Sequence, residues 1–236
     1  FKKATEFLNC YTSDAHQPDN ACAADTFAKM QSYNMLTETG ELNPSYPLNY
    51  QENPLTRIMH GRSYWDNDIS VDTSIYPGNT AATGSNASVK IETFNNAVVG
   101  TANNMQSTGL WAIKRTPVTV TGDHDATITI ALVDDVTGKH QHELALKRPS
   151  RVQKSWTHKA GTSTEILAPY GGLIYIKPAK TDSLNTAEFS FNGVLEASMW
   201  KAGQWVNQVN TGVPLAEVIT GHFVYTTPVN NVSNTD

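Results

Sequence analysis

Leu167-Ala168-Pro169-Tyr170-Gly171-Gly172-Leu173-Ile174-Tyr175-Ile176-Lys177 is the stretch that decides the fold class. Leu173 to Ile176 is an unbroken apolar run of β-branched and aromatic types, which suits a strand covered on both faces inside a sheet or sandwich. Proline fixes one backbone angle and glycine permits positive φ or the close approach of another segment. Pro169 and Gly171-Gly172 therefore predict a turn just before the strand. The neighbouring segments are expected to be arranged around it.

Working outward, Ser88–Phe94 alternates polar and apolar, with Val89, Ile91 and Phe94 inward. Gly109–Ile113 is apolar, Pro117–Thr121 alternates, and Ala126–Val133 alternates for longer, with Ile128, Ile130 and Leu132 on one face. Asp134–Lys139 reads as a turn around Gly138, with Glu143–Lys147 returning. Thr162–Leu167 leads into the opening stretch, Ala187–Ala197 alternates again, and Val218–Tyr225 closes the set. Short strands separated by Gly, Asn and Asp, with no helices between them, predict a mainly β fold. The expected form is an antiparallel β-sandwich, jelly-roll-like, over residues 69–236. Residues 1–68 read as a small helical lead-in. Asp25 is placed to cap a helix over Thr26–Leu36, and Asn53-Pro54 to start a short one running to His60.

A chain of 236 residues with 39% hydrophobic and 17% charged residues is sized for one large domain, or one domain and an appendage. The net charge of −5 offers no basic footprint for nucleic acid or an anionic membrane, and no apolar run is long enough to insert in a bilayer. The sequence opens at Phe1 without an initiator Met or signal peptide, as expected of a mature form or an excised piece. Its two cysteines, Cys10 and Cys22, lie close together across a polar loop with no metal-ligand spacing. That favours a local disulfide in an exported protein over two free thiols, adding about 2–3 kcal/mol.

His140-Gln141-His142-Glu143 is the most suggestive polar cluster. On a strand, His140 and His142 share a face and offer two imidazoles to one metal, with Asp134, Asp135, His124 or His158 to complete a shell. A solvated hairpin is the plainer reading. His142-Glu143 begins like HExxH, but Leu146 stands where the second histidine belongs, so that zinc-peptidase motif is absent. No Gly-x-Ser-x-Gly elbow and no phosphate-cradling glycine loop occurs, and Asp123-His124-Asp125 reads as a charged turn. Among five tryptophans, Trp111 and Trp156 fall on strand-like segments, while Trp200 and Trp205 lie together near a loop. Paired exposed indoles offer flat apolar faces on which sugar rings stack, the alternative being that they cover a sandwich edge.

Two stretches carry a family resemblance. Gln106-Ser107-Thr108-Gly109-Leu110-Trp111-Ala112 with Pro117-Val118-Thr119-Val120, and Leu167–Ile176, resemble the β-sandwich part of the enhancin-like, mucin-degrading zinc metallopeptidases (peptidase family M-sixty). Arg148-Pro149, Phe191-Asn192-Gly193-Val194 and Val213-Pro214-Leu215-Ala216-Glu217 fit the same order. Gly61–Asp66 and Tyr76–Asn79 resemble the preceding segment in the accessory colonization factor and secreted mucinase branch. The resemblance implies a bacterial secreted or cell-surface protein. It implies a sandwich placed before a catalytic domain that bears HExxH and the zinc, and that domain is absent from this sequence. No catalytic residue, metal ligand or cofactor is therefore carried onto this chain, which is expected not to be an enzyme by itself. Its implied partners are its own downstream catalytic domain and mucin-type glycoproteins, with Trp200, Trp205 and Tyr170 as candidate substrate contacts. Two other readings stand beside this one: a stand-alone carbohydrate-binding or adhesin module, and a small zinc enzyme built on His140 and His142.

Overall fold

The structure is a computed structural model. It describes Ser32 and residues 73–74, 76–93, 105–131, 153–168, 170–181, 185–221 and 223–232. The chain divides into two compact units, Phe1–Tyr76 with Asp135–Arg151, and Pro77–Asp134 with Val152–Asp236. Of the helix expected over Thr26–Leu36 only Ser32 is described, and it is helical. The helix expected to end at His60, the Cys10–Cys22 pair, Phe94 and the Asp134–Lys147 hairpin lie outside the described residues.

All described strands belong to the second unit. In chain order they are β1 Ser85–Glu92, β2 Gln106–Ala112, β3 Val118–Gly122, β4 Ala126–Ile130, β5 Lys154–His158 and β6 Ser163–Ile166. They continue as β7 Gly172–Pro178, β8 Thr186–Glu196, β9 Met199–Lys201, β10 Gln204–Asn207, β11 Leu215–Ile219 and β12 Val224–Pro228. An eight-stranded sheet runs β5-β4-β7-β2-β8-β3-β6, with β1 added to β8, and a four-stranded sheet runs β10-β9-β11-β12. Of the described pairings only β9 with β11 is parallel. The fold is mainly antiparallel β, as the strand pattern predicts.

β7 lies between β2 and β4, and six of its seven residues are buried. One of its faces supplies Ile174 and Ile176, paired across the strands with Ile130 and Ile128 of β4. All four are 0% exposed, and each such side chain contributes about 1.5–3 kcal/mol on burial. The same face continues onto β5 as Trp156 and His158, the partners of Ile128 and Ala126. His158 meets the Phe189 ring of β8 edge-on, with centroids 5.8 Å apart. Phe189 and Phe191 therefore point into the sandwich, and β8 alternates strictly from Thr186 to Asn192. β1 and β3 both pair residues 189–192 of β8, so they lie along its two edges. The other face of β7 carries Tyr175, which the four-stranded sheet covers through Glu217. Cover on both faces is why this strand alternates so little.

Gly171 and Gly172 have φ of 69° and 137°, which L side chains rarely adopt. A Cβ on Gly171 would stand 2.7 Å from the Ala112 carbonyl oxygen, and one on Gly172 would stand 2.7 Å from the Ala131 Cβ. The pair thus turns the chain and admits two neighbouring segments. Two strand expectations are corrected. β4 ends at Ile130, because Ala131 turns out of the strand at φ 57° while its N–H donates to the Leu173 carbonyl at 2.8 Å. Val218–Tyr225 is not one strand: the Thr220 N–H donates to the Phe223 carbonyl at 3.0 Å and closes a hairpin between β11 and β12.

Candidate functional site

Trp200 and Trp205 sit on β9 and β10, joined by Ala202 and Gly203 with φ of 52° and 92°. Two successive positive φ values make the tight hairpin turn whose twist matches its strands. This turn sets Trp205 directly opposite Trp200. On the far side of β9, Trp200 pairs with Val218 of β11, and Val218 with Tyr225 of β12. Directly opposed residues share a sheet face, so Trp205, Trp200, Val218 and Tyr225 form one row across four strands. Three strand spacings of roughly 4.8 Å give that row a span of about 14 Å.

The row faces outward. The adjacent residues Met199 and Glu217 occupy the opposite face and are 7% and 1% exposed. Glu217 reaches Ser107 of β2 and Tyr175 of β7 on the large sheet. Trp200, Trp205 and Val218 are half-buried, Tyr225 is 57% exposed, and Phe223 in the adjoining turn is 59% exposed. The row is therefore an aromatic platform backed by a fixed sheet.

Tyr170, the third member of the expected set, is corrected. It is 2% exposed, and burial pushes its phenol above the ordinary range, so it presents no surface to a ligand. Val218 and Tyr225 are the residues that sequence reading missed. Gly221 is the signal that splits their strands, but their alignment with Trp200 depends on a parallel, non-local pairing.

A second surface lies on the outer face of β1, β8 and β3. An open groove of about 540 Å³ is lined there mainly by Asn86, Ser88, Thr119, Thr121, Ser190 and Asn192. It is uncharged and polar and has no exposed aromatic ring, so it lacks a stacking platform. The side chains of the Asp123-His124-Asp125 turn bond neighbouring segments of the fold. Asp123 accepts the Glu188 N–H at 2.9 Å, and His124 Nε2 lies 3.0 Å from the Ala179 carbonyl oxygen. Asp125 accepts from Lys159 Nζ at 2.7 Å and the Ala160 N–H at 2.9 Å. The Lys159 hydrogen bond, then that of Ala160, holds the Asp125 carboxyl below the usual range. Among the described residues no three of His, Cys, Asp and Glu stand together to hold a metal. His140, His142, Asp134 and Asp135 lie outside the described residues.

Residues 1–68 match the AcfD helical domain, and residues 80–189 match the N-terminal domain of M60-like peptidases. The chain carries both of these domains. It is 44% identical over 99% of its length to the putative lipoprotein AcfD homolog of Escherichia coli K12. It is 38% identical, again over 99%, to the accessory colonization factor AcfD of Vibrio cholerae. In each case the chain spans 16% of the relative's length. The fold is that of the IMPa metallopeptidase of Pseudomonas aeruginosa, with a TM-score of 0.61 at 12% identity, covering 98% of this chain and 28% of that one. IMPa has been solved with an O-glycopeptide, and with T-antigen, where the TM-score to this chain is 0.57.

Proposed function

We propose that this chain is a non-catalytic part of an exported, mucin-degrading zinc metallopeptidase. Its sandwich scaffolds a downstream catalytic domain that holds the zinc, and its four-stranded sheet contacts the glycoprotein substrate. The observation that carries the second role is the outward row Trp205–Trp200–Val218–Tyr225. Indole and phenol rings stack on the apolar faces of pyranose rings and leave the sugar hydroxyls in water. The O-glycopeptide and T-antigen complexes of a protein with this fold support a glycoprotein ligand. The relatives named as a lipoprotein and as a colonization factor support export. No helix among the described residues is long and apolar enough to cross a membrane.

The test is titration of the chain with a mucin-type O-glycopeptide, followed by tryptophan fluorescence and calorimetry. Trp200→Ala and Trp205→Ala are each expected to weaken binding about 2–13-fold, the equivalent of an aromatic contact of about 0.5–1.5 kcal/mol. Undetectable binding by the unaltered chain would leave the scaffold role and remove the substrate contact.

A further inference from the structure

Glu217 is an acid inside the joint between the two sheets. Its Oε1 accepts from Ser107 Oγ at 3.0 Å and from the Tyr175 hydroxyl at 2.9 Å. Ser107 and Tyr175 are direct cross-strand partners on β2 and β7, while the backbone of Glu217 is paired to β9 and β12. The carboxyl group is thus a side-chain link from the middle of the large sheet to the middle of the small one. Its Oε2 is buried and has no hydrogen-bond partner among the described residues. A buried anionic oxygen without a donor costs far more than a buried neutral hydroxyl without an acceptor. Both donors converge on Oε1, which leaves Oε2 as the seat of a proton.

We propose that Glu217 is held as the neutral acid and acts as a proton-dependent clamp. When the Oε2 proton passes to solvent, the four-stranded sheet and its aromatic row loosen from the large sheet. Burial pushes the Glu217 carboxyl above the ordinary range, with the hydrogen bonds from Tyr175 and Ser107 pulling the other way. β2 has no ionisable residue. β7 has Tyr175 in contact and Lys177 two residues on, and β9 has Lys201 two residues from Met199. On β12 the facing residues are Val224 and Thr226, neither ionisable. Neither lysine forms a hydrogen bond or ion pair with Oε2 among the described residues.

The closed joint binds a proton that the open joint releases at an ordinary glutamate value. Closure is therefore full below that value. It weakens by up to tenfold per pH unit as pH rises towards the buried group's own ionisation, and is level beyond it. The inference does not depend on what the aromatic row binds.

Native-state hydrogen exchange of the 236-residue chain tests it, with opening constants corrected for intrinsic exchange, in wild type and Glu217→Gln. Gln keeps an oxygen for both donors and cannot ionise. In wild type, opening of β9–β12 is expected to increase by up to tenfold per pH unit as pH rises above the ordinary glutamate range, beyond any change in β4 and β7, and Glu217→Gln is expected to be flat. A flat wild type, or the same slope in the Gln variant, overturns the clamp. If the variant does not fold, carbon-13 titration of the wild-type Glu217 carboxyl decides. A midpoint above the ordinary glutamate range supports the clamp, and one at or below it overturns it.

Discussion

Replacing Gly172 with alanine probes the entry to β7, where a backbone requirement and a packing requirement coincide. At φ 137° a side chain costs about 1–3 kcal/mol of backbone strain. The new methyl would also sit 2.7 Å from the Ala131 Cβ, against about 3.5–4.0 Å for an unstrained carbon pair. Ala131 has little freedom to yield: it is 3% exposed, and its N–H is bonded to the Leu173 carbonyl at 2.8 Å. Overpacking of this kind costs about 1–3 kcal/mol, so the total loss is expected at about 2–6 kcal/mol. That is a large share of a typical domain stability of roughly 5–15 kcal/mol. Gly161→Ala is the control: its φ is 70° and no atom of the described residues lies within 4 Å of the added Cβ, so only a strain of about 1–2 kcal/mol applies. Urea unfolding reads both as midpoint shifts at constant slope. In the Gly172→Ala background, Ala131→Gly is expected to recover at least about 1 kcal/mol, because it removes the opposing methyl and the alanine's own positive φ. The reasoning is refuted if Gly172→Ala costs no more than Gly161→Ala, or if the two changes at 172 and 131 simply add.

Tyr175→Phe removes one of the two donors that lower the Glu217 ionisation, so the Glu217 carboxyl midpoint is expected to move further up in a carbon-13 titration. An unmoved midpoint would show that the hydrogen bond has no hold on the acid. Asp125→Asn is expected to lower the urea midpoint at neutral pH. The folded value of Asp125 is depressed, so its contribution is present above the ordinary carboxylate range and is lost as pH falls through the folded value. Wild type and variant should therefore converge in acid. Cys10 and Cys22 are expected to be bonded to each other. Alkylation of the denatured, unreduced chain should then add no label, and labelling of both residues without reductant would contradict the pairing.

The elements that were legible in the sequence are those whose environment is written locally. β7 shows as an apolar run because both its faces are covered, and β8 shows as alternation because only one is. The small sheet was harder to read. The Trp200–Trp205 pairing follows from a two-residue turn at Ala202-Gly203, and the glycine there was its local signal. The placement of Tyr225 in the same row required the register of β11 against β9, and no pattern in either segment encodes it. Tyr170 lies between Pro169 and Gly171, residues typical of an exposed turn, yet its ring is buried. Turn chemistry fixes the backbone path and leaves open which side of that path the side chain takes. Glu217 was visible as a charge within Val213-Pro214-Leu215-Ala216-Glu217-Val218-Ile219, but its two donors come from strands about 110 and 42 residues away.

Gln106–Ala112, one of the stretches that carried the family resemblance, gains a physical meaning from the joint it builds. The pairing of β2 with β7 shifts register between Ser107 and Trp111, so this segment bulges from the ladder. The Thr108 hydroxyl spans the bulge, donating to the Ile174 carbonyl at 2.7 Å and accepting the Leu110 N–H at 3.1 Å. The carbonyl that the bulge turns outward, that of Gly109, accepts the Ala197 N–H at 2.9 Å and Asn207 Nδ2 at 2.8 Å. Ala197 lies between β8 and β9, and Asn207 ends β10, so these bonds seat the tryptophan hairpin. Ser107, one residue before the bulge, holds Glu217. Ser107 and Gly109 thus fasten the small sheet to β2, and Thr108 between them ties β2 to β7. A load placed on Trp200 or Trp205 would reach the buried centre of the sandwich through two hydrogen bonds that do not depend on pH and one carboxyl that does.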